Sequence, residues 1–303
     1  MRLLLTGAGG LVGRHVAARA AAEPGIDLVA AGRSHPTDLP ESAVFHEADL
    51  SDSATASALV ADVRPSHIIH AAWETAHPTF WHDMANLDWV IATAAMAKSF
   101  AEAGGTRFVQ VGSCAEYDWS DGRCVEGVTP DRPATRYGRA KLAAFRAVEA
   151  AATDRFEAAE ARLFHLYGPG ENPARFVPTI CRSHLRGAVP RLGSGRHRRD
   201  LLHADDVARA LLALAKADGI VGSVNVAGGE EVVLRDVAEE LAAIAGAAET
   251  GLGGREDGPD DPERLVGAPS TRLAAIGWRP AIALPDGLRA TFEWWRLQPE
   301  LVR

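Results

Sequence analysis

Two residue types that are rare in this chain occur together at a spacing that suits proton transfer. The 303 residues include three tyrosines and three lysines, yet Tyr137 and Lys141 stand four residues apart. On a helix, residues i and i+4 share a face, so the Lys141 ammonium can lie beside the Tyr137 phenol. A neighbouring cation favours the phenolate and would lower the Tyr137 pKa from its usual value of about 10. The pair therefore predicts an acid or base for a carbonyl/alcohol interconversion.

The start of the chain predicts a turn that binds a dinucleotide. An apolar segment, Arg2–Thr6, runs into a glycine-rich stretch and then into an alanine-rich one. In the order strand, turn, helix, Gly7 permits the tight turn, Gly10 lets backbone amides approach a pyrophosphate, and Gly13 lets the helix pack on the strand. The predicted cofactor contacts at this turn are Gly7, Gly10, Leu11, Val12 and Gly13.

Alternating strands and helices position these residues. Strands are predicted near residues 2–6, 27–31, 67–70, 106–111, 157–163 and 222–226, and helices around 11–22, 53–63, 84–103 and 135–152. Such alternation predicts an α/β fold, a doubly wound parallel sheet with helices on both faces. The stretch from Gly251 to Pro262 is rich in glycine, aspartate and proline and is predicted to be a loop.

These motifs together resemble a known family. Thr6-Gly7-x-x-Gly10-x-x-Gly13, Ser113 and Tyr137-x-x-x-Lys141 are similar to the extended short-chain dehydrogenase/reductase family, in its NAD(P)-dependent nucleotide-sugar epimerase, dehydratase and ketoreductase branch. Later stretches that also resemble the family are Ala161–Gly170, Arg199–Ala208 and Leu273–Pro280.

The resemblance implies a division of the chain and its partners. An NADP-binding Rossmann domain is expected over residues 1–165 and 200–227, and a smaller substrate-binding lobe over residues 166–199 and 228–303. The substrate implied is a nucleotide-diphosphate sugar. The helices around 84–103 and 135–152 resemble the family's dimerising pair, which implies a homodimer.

The catalytic residues that the resemblance implies are Ser113, Tyr137 and Lys141. In the family, a serine or threonine at the position of Ser113 bonds the reacting oxygen while the tyrosine supplies the proton. Lys141 is also expected to bind the nicotinamide ribose.

The residues after Ser113 separate the reaction types. The family's 4,6-dehydratases carry an acidic pair, or one carboxylate with a small polar partner, at this place, whereas this chain has Cys114 and Ala115. Elimination of water lacks its proton carriers here, which disfavours a dehydratase. Glu116 is one residue out of register and is expected to point elsewhere.

Cofactor choice depends on the end of the second strand. An NAD site usually carries a carboxylate there, but this chain has Arg33 and Ser34, which suit a 2′-phosphate. NADP is therefore favoured over NAD. The resemblance adds an adenine-contacting turn and a nicotinamide-side loop, so the further expected cofactor contacts are Asp49, Leu50, Ala71, Ala72, Tyr137 and Lys141.

The resemblance also indicates where the substrate binds. In the family, the arginine at the position of Arg199 contacts phosphate, and His165 stands where many relatives have an asparagine. The expected substrate contacts are Trp73, Ser113, Cys114, His165, Arg175 and Arg199. His67 and His70 would face opposite sides of a strand, so we interpret them as structural and expect no metal site.

Composition excludes other classes. The net charge of −8 argues against nonspecific nucleic-acid binding. The sequence has no apolar run of about 18 residues, and a first strand at residue 2 leaves no room for a signal peptide, so we expect a cytoplasmic protein that does not bind membranes. The odd number of cysteines, Cys114, Cys124 and Cys181, predicts reduced thiols.

The sequence therefore predicts an NADP-dependent ketoreductase that acts on a nucleotide-linked 4-keto-deoxysugar. An NADP-type pocket suits a reductase that exchanges its cofactor at each turnover. One alternative is a nucleotide-sugar epimerase with tightly bound NAD. Another is a noncatalytic NADP-binding regulator, although a pure sensor needs neither Ser113 nor the Tyr137–Lys141 pair.

Overall fold

The structure is a computed structural model that describes residues 1–75, 79–258 and 261–302. In chain order, its strands are β1 (Arg2–Thr6), β2 (Asp27–Gly32), β3 (Val44–Glu47), β4 (His67–His70), β5 (Arg107–Ser113), β6 (Arg123–Cys124), β7 (Glu157–Leu163), β8 (His165–Tyr167), β9 (Arg198–Arg199), β10 (Leu201–His203), β11 (Gly222–Val226), β12 (Val232–Val233) and β13 (Arg264–Gly267). Its α-helices are α1 (Leu11–Ala22), α2 (Ser53–Val63), α3 (Ala85–Glu102), α4 (Arg136–Ala151), α5 (Phe176–Leu185), α6 (Ala204–Lys216), α7 (Leu234–Ala245), α8 (Thr271–Ala275), α9 (Leu284–Arg296) and α10 (Pro299–Val302). Short 3-10 turns span Thr79–Trp81 and Cys114–Glu116.

Seven strands form the central sheet, in the order β3-β2-β1-β4-β5-β7-β11, and every neighbouring pair is parallel. The three leucines of β1 are fully buried because helices cover both faces of the sheet. Helices α1 and α6 pack together on one face, and α2, α3 and α4 pack on the other. The predicted doubly wound Rossmann sheet is confirmed, with the predicted elements ending within one or two residues of the observed ones.

The C-terminal part of the chain builds a second, smaller core. Helices α5, α7 and α9 bury a separate apolar cluster that includes Tyr167 and Trp295. Part of the predicted lobe segment 228–303 packs against the Rossmann sheet instead of this smaller core. Helix α8 contacts α6 and β11, and Leu273 and Trp278 belong to the apolar core between the sheet and α6. The Trp278 indole N–H donates to the Asp206 carbonyl at 3.0 Å, which fixes this stretch to α6.

The described residues of the predicted loop from Gly251 to Pro262 contain no helix or strand. Pro259 and Asp260 lie outside the described residues.

The three cysteines are free and buried. No helix within the described ranges has the length and apolarity needed to cross a bilayer.

Candidate functional site

The glycine turn lies between β1 and α1, at the carboxyl edge of the sheet. Gly7 has φ +73°, and a Cβ atom there would lie 2.7 Å from the Ala72 amide nitrogen. A Cβ atom on Gly13 would lie 2.1 Å from the Gly7 carbonyl oxygen, so the helix can start this close to the strand only with glycine. Gly10 precedes α1 and has no side chain with which to cap the first N–H groups of the helix. These groups suit the pyrophosphate of a dinucleotide.

The other predicted cofactor residues follow the ends of neighbouring strands. Ser34 and Arg33 follow β2, Asp49 and Leu50 follow β3, and Ala71 and Ala72 follow β4, so the parallel sheet brings them to the same edge as the glycine turn. The Arg33 side chain is 71% exposed, and its guanidinium lies 3.1 Å from the Glu74 carboxylate. The Asp49 pKa is lowered, chiefly because its carboxylate accepts hydrogen bonds from Ser51.

Tyr137 and Lys141 lie on α4, which approaches the end of β5 closely. The Thr135 hydroxyl caps the helix by accepting the Gly138 N–H at 3.1 Å. A Cβ atom on Gly138 would lie 2.1 Å from the Ala115 carbonyl oxygen, so this glycine permits the approach. Ser113 ends β5. Burial raises the Tyr137 pKa, and a hydrogen bond with the Ser113 hydroxyl opposes part of that rise.

The electrostatic relation between Tyr137 and Lys141 differs from the sequence prediction. Burial raises the Tyr137 pKa, and the groups that act against this are Ser113 and, more weakly, Arg175. The Lys141 ammonium donates to the Val111 carbonyl at 2.9 Å and lies 3.9 Å from the centre of the Trp73 ring. The predicted lowering of the phenol pKa by Lys141 is therefore wrong for this arrangement, because both side chains are buried and the cation has other partners.

Lys141 is 2% exposed, and burial lowers its pKa to about 8. A nicotinamide ribose can contact its ammonium only if the Trp73 ring moves. Trp73 is held by a 2.9 Å hydrogen bond from its indole N–H to Asn86 and by stacking on Trp89 at 5.7 Å between ring centres. The residues present thus fit the pyrophosphate end of a dinucleotide as they stand, and the nicotinamide end after this rearrangement.

Aromatic side chains surround the Tyr137 ring. Phe80, Trp81 and Trp73 lie at 5.0, 5.6 and 6.4 Å between ring centres, each nearly perpendicular to it. Trp119 continues this aromatic wall: it lies edge-on to Trp81 and donates its indole N–H to the Cys114 carbonyl at 2.7 Å. Of these aromatic residues, only Trp73 was predicted from the sequence to contact substrate. The available signal was the occurrence of three tryptophans between residues 73 and 89.

The predicted phosphate contacts lie on the lobe side of Tyr137. Arg175 precedes α5, and its guanidinium carbon lies 5.5 Å from the Phe80 ring centre. His165 is partly buried as a residue, and the burial of its ring, with Arg199 and Arg175, lowers its pKa to about 3, so the ring is neutral. Arg199 is 3% exposed and pairs with the Asp261 carboxylate at 2.6 Å. A phosphate could reach the Arg199 guanidinium only by displacing Asp261.

The sheet order, the glycine turn and the carboxyl-edge loops define a dinucleotide-binding protein of the extended short-chain dehydrogenase/reductase type. A model of the NAD dependent epimerase/dehydratase family matches residues 3–227. The chain therefore belongs to this family, and the predicted family resemblance and the predicted class of NAD(P)-dependent enzyme are confirmed.

Curated relatives agree with this membership. UDP-glucose 4-epimerase of Mycolicibacterium smegmatis is 26% identical, with 98% of this chain and 99% of that protein covered. GDP-L-fucose synthase 1 of Arabidopsis thaliana is 34% identical over 142 residues, and that match spans only 43% of each chain.

Solved structures resemble the whole chain. MoeE5 in complex with UDP-glucose and NAD superposes with a TM-score of 0.87 at 26% identity, covering 99% of this chain and 100% of that one. UDP-glucose 4-epimerase of Thermotoga maritima reaches a TM-score of 0.88 at 21% identity, over 99% and 100% of the two chains, and shows the shared fold.

Proposed function

We propose that this chain is an NADP-dependent ketoreductase that reduces a nucleotide-linked keto-deoxysugar at C4. The observation that carries the proposal is the environment of Tyr137. Its phenol hydrogen-bonds the Ser113 hydroxyl inside an aromatic wall, and burial raises its pKa, so it is protonated at neutral pH and can give a proton to the ketone oxygen that Ser113 bonds. Burial also raises the pKa of the Cys114 thiol, so Cys114 and Ala115, which stand where the family's dehydratases have their proton carriers, offer no ionised group for an elimination.

Each catalytic side chain has a role in this reaction. NADPH, when bound, supplies the hydride for the carbonyl carbon. Ser113 bonds the carbonyl oxygen, and Tyr137 protonates that oxygen as charge develops on it. The aromatic wall holds the sugar and excludes water, and Lys141 binds the nicotinamide ribose once Trp73 has moved.

The main alternative is a nucleotide-sugar epimerase with tightly bound NAD. It is favoured by MoeE5, whose structure contains UDP-glucose and NAD, and by the UDP-glucose 4-epimerase of Mycolicibacterium smegmatis, which matches nearly the full chain. The exposed guanidinium of Arg33 supports NADP instead, since it lies at the strand end where a 2′-phosphate would be recognised.

The cofactor content and the NADPH oxidation of the purified protein distinguish the ketoreductase from the epimerase. We expect the protein to be free of stoichiometric NAD and to oxidise NADPH with at least one nucleotide-linked 4-keto-deoxysugar, with the product identified by NMR. Stoichiometric bound NAD, together with no net NADPH consumption on any keto-sugar, would establish the epimerase.

A substitution at Asp261 tests whether Arg199 binds the substrate phosphates. Asp261→Asn removes the anion that competes for the guanidinium, so we expect UDP and dTDP to bind about threefold to tenfold more tightly, equivalent to ~1 kcal/mol for a half-exposed pair. Titration calorimetry at low salt measures this. Asp257→Asn is the matched control, because Asp257 lies on the same segment but bonds Ser194. Equal affinity in the wild type and Asp261→Asn would remove Arg199 from the phosphate site.

We also propose a homodimer that forms through α3 and α4. Leu87 and Ile91 lie one turn apart on α3, and they are 45% and 59% exposed, a surface stripe suited to burial against a second copy. Ile91→Glu should convert the dimer to a monomer in light scattering. Val128→Glu, at a valine exposed elsewhere, should not. A wild-type protein that is monomeric at all concentrations would contradict this.

A further inference from the structure

Charged side chains lie buried directly behind Ser113, and the proposed reaction does not use them. Glu116 and Glu160 are fully buried, and Arg162 is 2% exposed. A charge in such a place is costly unless it is paired and hydrogen-bonded. The predicted direction of Glu116, away from the reacting groups, agrees with this position in the interior.

Glu116 holds the backbone that carries Ser113. One oxygen of its carboxyl group accepts the Ser113 N–H at 2.7 Å, and the Ser113 hydroxyl accepts the Ala115 N–H at 3.1 Å. These two bonds close the short turn over Cys114–Glu116. The direction of the Ser113 side chain therefore depends on an acceptor at residue 116.

Glu160 reaches the same place from β7. A Cβ atom on Gly112 would lie 2.6 Å from Glu160 Cγ and 2.9 Å from Glu116 Oε1, so both carboxyl groups occupy the space that a side chain at residue 112 would fill. Arg162 Nε lies 2.9 Å from Glu160 Oε2 and 3.3 Å from Glu116 Oε2. Both glutamates thus lie against Nε of the Arg162 guanidinium, and Nη1 of the same group lies 2.6 Å from the Asp131 carboxylate.

This arrangement favours one negative charge on the two acids rather than two. Burial and the repulsion between the two groups raise the Glu116 pKa, and burial raises that of Glu160. Ser223 donates a further hydrogen bond to Glu160 at 2.8 Å. One shared proton leaves a single negative charge, instead of two, beside a guanidinium that also pairs with Asp131.

Among the proposed catalytic groups, Lys141 interacts electrostatically with the negative charge of the two acids. Burial lowers its pKa, and Glu116 and Glu160 raise it. Gln110 connects the sites, because its amide donates to the Lys141 carbonyl at 3.1 Å and reaches Glu160 at 3.5 Å. The titratable groups that face the pair or Lys141 are Arg162 on β7, Cys114 in the turn after β5, Tyr137 on α4 and His70 on β4. The His70 ring is neutral because burial lowers its pKa to about 3.

We propose that Glu116 and Glu160 form a buried acid pair that holds one proton, keeps Lys141 charged at neutral pH and fixes the orientation of Ser113. Both glutamates are positioning residues. The kinetic consequences rest on the proposed function, whereas the shared proton and the charge of Lys141 do not.

Because the chain has only three lysines, NMR can follow the titration of Lys141 by itself. With lysine labelled at 13Cε, the spectrum contains three side-chain signals, and Lys141→Arg identifies the buried one. Lys98 and Lys216 are exposed and serve as internal references. We expect Lys141 to titrate near pH 8 in the wild type.

Single and double variants then separate a shared proton from two independent charges. Glu116→Gln and Glu160→Gln each leave one carboxylate, so each should keep the Lys141 pKa within about half a unit of the wild type. The double variant removes the last charge and should lower it by about one unit or more. A full-unit fall in either single variant, or none in the double variant, would overturn the proposal.

Infrared spectra keep the test decisive if the double variant does not fold. The wild type at neutral pH should show the carbonyl stretch of a protonated carboxyl group that either single variant loses. Glu171→Gln provides the background, because burial raises the Glu171 pKa to about 8 and that group also contributes a signal. Equal spectra of the wild type and both variants would show that the pair holds no proton.

Kinetics test the orientation of Ser113. Glu116→Leu removes the acceptor of the Ser113 N–H, and we expect kcat to fall about tenfold or more with little change in KM. Glu116→Gln retains an acceptor oxygen and should recover most of this loss. Because cationic Lys141 is lost as pH rises through its pKa, the double variant should also lose activity at lower pH than the wild type. Equal kcat in Glu116→Leu and the wild type would exclude the positioning role, whereas a protein with no reductase activity but the expected lysine titration would contradict only the proposed function.

Discussion

Tyr137→Phe is expected to lower turnover by about 10²- to 10⁴-fold, the usual contribution of a positioned general acid. The substitution removes one buried hydroxyl and keeps the ring that Phe80 and Trp81 contact edge-on. Cofactor affinity should therefore stay within about twofold of the wild type, because the glycine turn and the strand-end loops are untouched. Steady-state NADPH oxidation and NADPH fluorescence titration measure the two quantities separately.

Tyr117→Phe is the matched control for this experiment. Tyr117 is also buried, and its hydroxyl donates to Asn225 at 2.7 Å, but it lies outside the aromatic wall around Tyr137. This control variant should lose some stability and keep its turnover number. Near-wild-type turnover in Tyr137→Phe would remove the proposed proton donor, and a loss of cofactor binding would mean that the phenol acts in binding rather than in chemistry.

The elements around this tyrosine were predictable because they follow from local patterns. Apolar runs such as the leucines of β1 predict buried parallel strands, and the spacing of Tyr137 and Lys141 places both on one face of α4. The one strand of the main sheet that was missed, β3, is a four-residue edge strand whose first residue, Val44, is 55% exposed. A short exposed edge carries little periodic signal.

The chemistry of the site was less predictable, because it depends on burial and on contacts between distant residues. A spacing of four residues gives proximity, but it does not reveal that Lys141 donates to Val111 and lies against Trp73. The buried acids had a sequence signal that went unused: after Glu157, Glu160 and Arg162 interrupt the apolar buried part of β7 at a spacing that places both on one face. Two opposite charges there indicate a polar network inside the core.

Arg33→Asp is expected to reverse the cofactor preference. A guanidinium contributes about 1.5–3 kcal/mol through hydrogen bonds to a charged partner, and an aspartate both removes this contribution and repels a 2′-phosphate while it accepts a ribose hydroxyl. We therefore expect the ratio of NADPH to NADH affinity to fall by about 10²- to 10³-fold. Fluorescence titration with each reduced cofactor measures the ratio without any sugar substrate.

Two comparisons make the result on Arg33 specific. Arg155→Asp changes the same charge at an exposed turn before β7, at the opposite edge of the sheet, and should leave the ratio unchanged. Glu74→Gln removes the carboxylate that lies 3.1 Å from the Arg33 guanidinium, so NADPH should bind somewhat more tightly because a competing anion is lost. An unchanged ratio in Arg33→Asp would place the 2′-phosphate elsewhere and favour the NAD-dependent epimerase, since the structural basis for NADP at this strand end would be gone.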